Sequence, residues 1–566
     1  MPYTIVEQAS GYGSGATDAR ELATDGVRSN AMSNNEFFQD GPCLGNQFED
    51  DAVLGGWLRA HLPAEMLDGI RPGLVRLGVR AAGEMLDYAA DALAHPPQHV
   101  PYDAWGRRVD HIEVAAGWQA LHRVAAEEGI VATAYEREHG AWSRVHQCVR
   151  LYLYNPSSAI CSCPLAMSDG AARVIELYGD ADLKRRVLPH LISRDPALLW
   201  TSGQWMTERS GGSDVSGTGT EARYEDGGVR LYGTKWFTSA TTSEMAVTLA
   251  RDPDADGKLS LYCLELRDAD GRLNNIFVHR LKDKLGTRAL PTAELTLQGT
   301  PAVRIGESGK GVRTIATVLN ITRLYNAVSA VSYMRRGIAL ARDYAGRRRA
   351  FGKLLIEHPL HRETLADLEC EFTGAFYLTF ELAMLLGREE TGAIADQDRL
   401  LLRLLTPVAK LYTGKQAIAV ASEVLECFGG QGYIEDTGLP SLLRDCQVLS
   451  IWEGTTNVLS LDVLRVLEQT DALRVFAVDI ERRLELITHV ELAAVRETIL
   501  AALKRITAWP ADAQGAGRDA LEAGARRFAF SLARTRAAVL LAGAAEAGVV
   551  EFEVVQRWCD KRLALI

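Results

Sequence analysis

The chain has 566 residues, 47% of them hydrophobic and 24% charged, with a formal charge of −11. These values describe a large acidic globular protein of several domains and exclude a single small binding module, a collagen-like repeat and wholesale disorder. The excess of negative charge repels phosphate backbones at long range, so any nucleic-acid contact needs a locally basic face.

Residues 1–45 are rich in Gly, Ser, Asn and Asp and read as a loosely ordered arm, without the apolar or Arg-rich pattern of a secretory or transit segment. Apolar residues three and four apart dominate from Asp51 to about Arg194, which predicts an all-helical domain over 46–197. From 198 to 306 the period changes: GGVRLYGTKWFTS, MAVTLARD, KLSLYCLEL and AELTLQGTPAVRIG alternate or are β-branched, with Gly and Asp turns between them. They predict a compact β-barrel or sandwich. Long helical patterns return over 307–470, enough for three antiparallel helices and a fourth from about Asn457, an up-down bundle. Two or three further helices are expected over 471–566. That block carries 14 basic and 13 acidic residues, a net of +1, which leaves −12 on residues 1–470. Its most apolar stretch, 537–545, is broken by Glu546. It is far short of the roughly 20 residues that span a bilayer, so no membrane contact is expected.

Nine scattered cysteines, with no Cys-x-x-Cys and no His at zinc spacing, read as buried thiols in a reducing, cytoplasmic setting, with no metal site. Four clusters of residues are suited to chemistry. In Trp205-Met-Thr-Glu-Arg-Ser-Gly-Gly-Ser-Asp214, two glycines beside hydroxyls form either a plain turn or a cradle of N–H donors for an anion or a flavin edge. Trp236-Phe-Thr-Ser239 ends a strand; it is either a core aromatic pair or an indole face for a planar cofactor with Thr238 as donor. Arg347-Arg-Arg-Ala-Phe-Gly-Lys353 is a solvated helix end or a clamp for pyrophosphate. Phe428-Gly-Gly-Gln-Gly-Tyr433 is followed by Ile451-Trp-Glu-Gly-Thr-Thr-Asn457. There Glu453 is either a carboxylate whose burial suits it to take a proton from carbon, or part of a helix cap built by Gly-Thr-Thr-Asn.

In this order and spacing, MTERSGGSD, KWFTS, RRRAFGKLL, FGGQGY and IWEGTTN resemble the acyl-CoA dehydrogenase family over about residues 100–468. YDAWGRRVDHIEVAAGWQALHR, RLKDKLGTRA, LPSLLRDCQVLSIWEG and the added C-terminal helices are similar to its AidB branch, the adaptive-response-to-alkylation proteins. The resemblance implies a mainly α fold with a central β-barrel: helical domain, barrel, four-helix bundle and a C-terminal helical domain. It implies FAD between barrel and bundle, an acyl-CoA substrate, a homotetramer built as a dimer of dimers, and electron-transferring flavoprotein as a partner. By position, Thr207 and Ser213 would bond the flavin or its ribityl chain, Trp236 would pack on the ring, and Thr238 would donate near N5. Arg348 and Phe351 would meet the dinucleotide of an adjacent subunit, Gly429 and Gly430 would pass close to its phosphates, and Thr455 and Asn457 would hold the diphosphate. Glu453 matches the catalytic base that removes the α-proton of the thioester.

The chain departs from the family pattern at Ala350, Glu426 and Asn320, where many members have Thr, Gln and Asp. Arg323 is expected in a structural bond near the base loop. The AidB resemblance also implies duplex-DNA binding through the C-terminal domain with weak dehydrogenation. Its candidate contacts are Arg482, Arg483, Lys504, Arg505, Arg526, Arg527, Arg534 and Arg536. An oxidase that passes electrons to oxygen is a third possibility.

Overall fold

The computed structural model describes residues 40–225 and 227–566; most of the predicted arm therefore lies outside the described residues. The first helices are α1 (Ala52–His61), α2 (Ala64–Ala82) and α3 (Glu84–Ala94). Asp51 caps α1 by accepting from the Leu54 N–H at 2.9 Å. The break at Gly83 divides a run that periodicity alone reads as one helix.

The segment expected to be all helical contains a hairpin, β1 (Gln98–Tyr102) and β2 (Arg108–Glu113). Pro96-Pro97 stops the preceding helix, and the Asp103 carboxylate accepts from the N–H groups of Trp105 and Arg107 to build the turn. Asp110 is buried and accepts from Arg108 at 2.7 Å and from the Val278 N–H at 3.1 Å, which ties the hairpin to the barrel. Then follow α4 (Ala116–Glu127), α5 (Ala132–Glu136), α6 (Trp142–Tyr154), α7 (Ser162–Tyr178) and α8 (Ala181–Leu191).

The β domain runs through β3 (Ser202–Gln204), β4 (Glu221–Glu225), β5 (Gly228–Ser239), β6 (Met245–Arg251), β7 (Leu259–Glu265), β8 (Ile276–Leu281) and β9 (Thr292–Ile305). Strands β4, β5, β9, β7 and β6 pair in that order, and β4 returns to β6 through Glu221 and Arg251. The ring is closed, which makes it a barrel; β3 adds to β6 and β8 to β9. Side chains alternate along β6: Ala246 and Ala250 face the barrel interior with Trp205 and Leu295, while Met245, Val247 and Leu249 pack against α7 and α8.

The bundle is α9 (Gly311–Arg347), α10 (Pro359–Glu390), α11 (Asp396–Cys427) and α13 (Thr456–Gln469). A short hairpin, β10 (Arg349–Ala350) and β11 (Lys353–Leu354), follows α9, and α12 (Leu439–Leu449) precedes the last helix. Residues 370–383 of α10 are buried on every face. A helix apolar all round needs partners on all sides, and the C-terminal block supplies one of them. That block has four helices, α14 (Ala472–Glu485), α15 (Ala493–Gly515), α16 (Arg518–Glu546) and α17 (Phe552–Asp560), where two or three are expected. Helix α16 is long and apolar enough to cross a bilayer, yet 78% of its most apolar window is buried within the protein. At Gly374 of α10 an added Cβ would lie 2.3 Å from the Trp558 ring of α17, so only glycine lets that indole seat.

Candidate active site

Glu453 lies in the loop between α12 and α13, half-buried, with φ at +58°. Such a backbone conformation is costly for a non-glycine residue and persists only when neighbours hold it. Three groups do so. Thr322 of α9 donates its hydroxyl to the Glu453 carboxylate at 2.7 Å. Arg323 donates Nε to the Glu453 carbonyl at 3.3 Å and bonds Asp462 at 2.9 Å. Lys410 of α11, fully buried, donates Nζ to the Gly454 carbonyl at 2.7 Å and has no carboxylate within salt-bridge distance among the described residues. Burial pulls the Lys410 ammonium down to about 7, opposed in part by the charge of Glu453. Thr455 accepts from the Val458 N–H and caps α13, so its hydroxyl already has the capping role that the Gly-Thr-Thr-Asn run allows. Asn457 is exposed in the first turn of α13.

The first and second motifs form one unit. The Trp236 N–H donates to the Thr207 carbonyl at 3.0 Å. The Glu208 carboxylate accepts from Lys235 Nζ at 2.9 Å, from the Gly219 N–H at 2.6 Å and from the Thr220 hydroxyl at 2.5 Å. Lys235 is wholly buried, and among the described residues its one carboxylate partner is Glu208. The Gly211-Gly212 turn folds back on Thr207: a Cβ on Gly212 would meet the Thr207 hydroxyl at 2.5 Å. Thr207 is half-buried and Ser213 exposed. On the strand entering this turn, Gln204 Oε1 is buried without a hydrogen-bond partner among the described residues.

Two expected donors and faces are partly committed. The Thr238 hydroxyl is fully buried and donates to the Ala293 carbonyl at 2.7 Å, so its proton is spent within the barrel wall. The half-buried Trp236 indole has Lys282 Nζ 3.8 Å from its centroid, a cation over one ring face. The loop that carries Lys282 reaches the bundle: the Thr287 N–H donates to Asp445 of α12 at 2.6 Å, and burial raises that carboxyl to about 6. Cys163 of α7 lies close enough to both Lys284 and Glu453 for their charges to act on it, so helical domain, barrel and bundle meet here.

Arg348 and Phe351 sit apart from this cluster, at the β10–β11 hairpin, where Phe351 is 96% exposed with φ at +51°. Gly429 and Gly430 are exposed, Gly429 with φ at +60°, and a Cβ on either would meet nothing within 4 Å. Thr322, Lys410 and Lys282 were not singled out from the sequence. A lone lysine inside the apolar run LLRLLTPVAKLY was the available signal for Lys410. Of the basic residues considered for DNA, Arg536 is fully buried and Arg534 nearly so. Arg536 binds Glu381 and Asp479, and Arg534 bonds the Arg562 carbonyl, so neither can reach a phosphate.

A closed barrel joined to helical domains on either side in the chain, with a carboxylate held by the bundle, defines a three-domain α-plus-barrel class of protein with an added C-terminal helical block. Residues 203–300 match the acyl-CoA dehydrogenase middle domain, 309–468 its C-terminal domain, 43–195 the N-terminal domain of adaptive response protein AidB, and 471–566 the acyl-CoA dehydrogenase 11 C-terminal domain-like family. The chain is 44% identical over 546 residues to acyl-CoA dehydrogenase family member 11 of Caenorhabditis elegans, covering 92% of this chain and 88% of that protein. The crystal structure of Caenorhabditis elegans ACDH-11 in complex with C11-CoA superposes with a TM-score of 0.91 at 43% identity, over 94% of each chain. The putative acyl-CoA dehydrogenase AidB of Escherichia coli is 34% identical over 395 residues, 68% of this chain and 72% of that one. An acyl-CoA dehydrogenase from Bacillus anthracis, solved with FAD, shares the fold at 20% identity and a TM-score of 0.68, over 80% of this chain and 81% of that one. The chain belongs to the acyl-CoA dehydrogenase family.

Proposed function

We propose that the protein catalyses FAD-dependent α,β-dehydrogenation of an acyl-CoA thioester with Glu453 as base. The observation that carries this reading is the Glu453 loop: a carboxylate in a strained backbone turn, aimed by Thr322 and anchored through its own carbonyl and that of Gly454. Such over-determined strain belongs to sites that need a fixed geometry. The residues present fit FAD: the open cradle at Gly429 and Gly430, the orphaned Gln204 oxygen beside the Thr207 turn and the half-exposed Trp236 indole offer backbone approach, an acceptor and a ring face. Bound FAD supplies the acceptor for the β-hydrogen and its electron pair.

The chain's own residues do the rest. The Glu453 carboxylate takes the α-proton, and its N–H is the donor that the family places on the thioester carbonyl, where it stabilises negative charge as the proton leaves. Thr322 fixes the carboxylate's direction, which keeps it within reach of the α-carbon. Arg348 and the exposed Phe351 reach outward and are assigned to the dinucleotide of a neighbouring copy in a homotetramer. In this reading electron-transferring flavoprotein is the proposed acceptor and the cytoplasm the proposed location. The test is anaerobic titration of the yellow protein with a panel of acyl-CoAs. Wild type should lose its flavin colour with at least one chain length, while Glu453→Gln should keep the flavin and not bleach. Bleaching by that variant at the wild-type rate would sink the assignment.

Lys504, Arg505, Arg526 and Arg527 are exposed on the adjacent helices α15 and α16, and they are what a duplex-DNA reading rests on. A mobility shift with a steep negative salt slope would support it, and no shift at low salt would retire it. Oxidase chemistry would be revealed by peroxide release with acyl-CoA.

A further inference from the structure

Away from the Glu453 loop, α1, α10, α14 and α16 line an open-sided cavity of about 320 Å³. Ligand cavities begin at about this size. Its walls are mostly apolar, with Trp57, Met384, Val539, Leu540 and Val549 among them.

Three polar groups face this space with capacity left over. Tyr377 is 4% exposed, and its hydroxyl has no hydrogen-bond partner among the described residues. Arg483 spends Nε on Asp479 at 2.7 Å and Nη2 on Glu381 at 3.0 Å, while its Nη1 makes no hydrogen bond to the protein among the described residues. His61 donates Nδ1–H to the Trp57 carbonyl at 2.8 Å and stacks on the Trp57 ring. Burial, reinforced by Arg483, lowers the His61 pKa and keeps the ring neutral, so its Nε2 is an acceptor.

Arg482, Arg483 and Arg536 share the two carboxylates Glu381 and Asp479, and of the three arginines Arg483 lines the cavity. Burial pushes Asp479 up, yet Arg536 and Arg483 outweigh it and hold the carboxyl well below its usual range, so both anions stay charged partners of the arginines. Glu546, also in the lining, keeps its negative charge while its oxygens accept from the Thr488 N–H and hydroxyl and from the His489 N–H, so they are turned to that loop. Tyr377 and Glu381 are one helical turn apart on α10, Glu381 binds Arg483, and both Tyr377 and Arg483 line the cavity.

We propose that this cavity is a second ligand site, distinct from the acyl-CoA site, that takes an aliphatic carboxylate with its chain among the apolar walls and its headgroup on Arg483 Nη1 and the Tyr377 hydroxyl. The site does not depend on the dehydrogenase reading. The ligand needs an apolar body to displace water from the walls and an acceptor-only headgroup to meet two donors, one of them a guanidinium whose bond to a carboxylate is charge-assisted.

The experiment is isothermal titration calorimetry of the flavin-loaded full-length protein with octanoate, and with octan-1-ol as the uncharged counterpart. Two variants locate the binding. Tyr377→Phe removes only the hydroxyl and should weaken octanoate by about fivefold to tenfold. Gly543→Phe fills the cavity from α16, where a Cβ would meet nothing within 4 Å, and should abolish the binding heat while the flavin spectrum stays as in wild type. Circular dichroism checks that both variants fold; if Gly543→Phe does not, Tyr377→Phe alone decides. Octanoate bound equally well by wild type and Tyr377→Phe, or no saturable heat with wild type, would overturn the proposal. Octan-1-ol bound as tightly as octanoate would overturn the carboxylate assignment.

Discussion

Lys410 is buried behind the base loop with no carboxylate within salt-bridge distance among the described residues, and replacing it with methionine should make the protein more stable and less active at once. Burial lowers its pKa from 10.5 to about 7. At about 1.4 kcal/mol per pH unit, that gap places a cost of ~5 kcal/mol on the charged folded form. The unfolded chain binds this proton more tightly, so wild-type stability climbs as pH rises from about 7 toward 10.5, and Lys410 contributes no slope below 7. Lys410→Met removes the cost and gives up the bond to the Gly454 carbonyl, worth about 1.5–3 kcal/mol. The variant should therefore gain ~2–3 kcal/mol at neutral pH, and the gain should shrink with rising pH by up to about 1.4 kcal/mol per unit. With Gly454 released, the Glu453 turn loses an anchor, and kcat should fall about tenfold. Urea-unfolding midpoints of both proteins at about pH 6.5, 7.5 and 9 read the stability difference. Parallel pH profiles for the two proteins would refute the account of Lys410 as a buried charge.

Thr322→Val keeps the shape of α9 but removes the hydroxyl that aims the Glu453 carboxylate; kcat should drop about fivefold to tenfold with KM little changed, in steady-state turnover. Gly374→Ala sets a methyl against the Trp558 ring and should lower stability by about 1–3 kcal/mol, seen as an earlier thermal transition, while flavin binding is retained. Together with the loss of bleaching in Glu453→Gln, these variants separate chemistry, positioning and domain docking.

Period and punctuation in the sequence carried the layers of the fold. The change from helical to alternating spacing near residue 198 falls just before the first barrel strand, which begins at Ser202, and closure of the ring could not be read because it depends on a single β4–β6 pairing. The hairpin at 98–113 was missed because its strands are short and lie among long amphipathic helices, although Pro96-Pro97 marks the break. From its neighbours alone Glu453 could equally be part of the Gly-Thr-Thr-Asn cap, and it was legible as a base only through the resemblance carried by IWEGTTN together with the other motifs. Lys410 was not, since one lysine in a helical stripe ordinarily points to water, and its burial comes from the packing of α11 among the other helices and the Glu453 loop. Arg534 and Arg536 looked like surface charge for the same reason: their carboxylate and carbonyl partners lie dozens of residues away in the chain. The second cavity was beyond reach for sequence reading, because residues 57, 377, 483 and 540 meet only in three dimensions.

The bond between Glu208 and Lys235 has a consequence for how this protein can vary. The two residues sit in separate signatures, MTERSGGSD and KWFTS, 27 positions apart, and each would strand the other as a lone buried charge if it changed alone. Evolution must therefore exchange them as a pair or leave both untouched. In a library of random variants, survivors altered at one should carry a compensating change at the other, so that two motifs written as separate words are inherited as one.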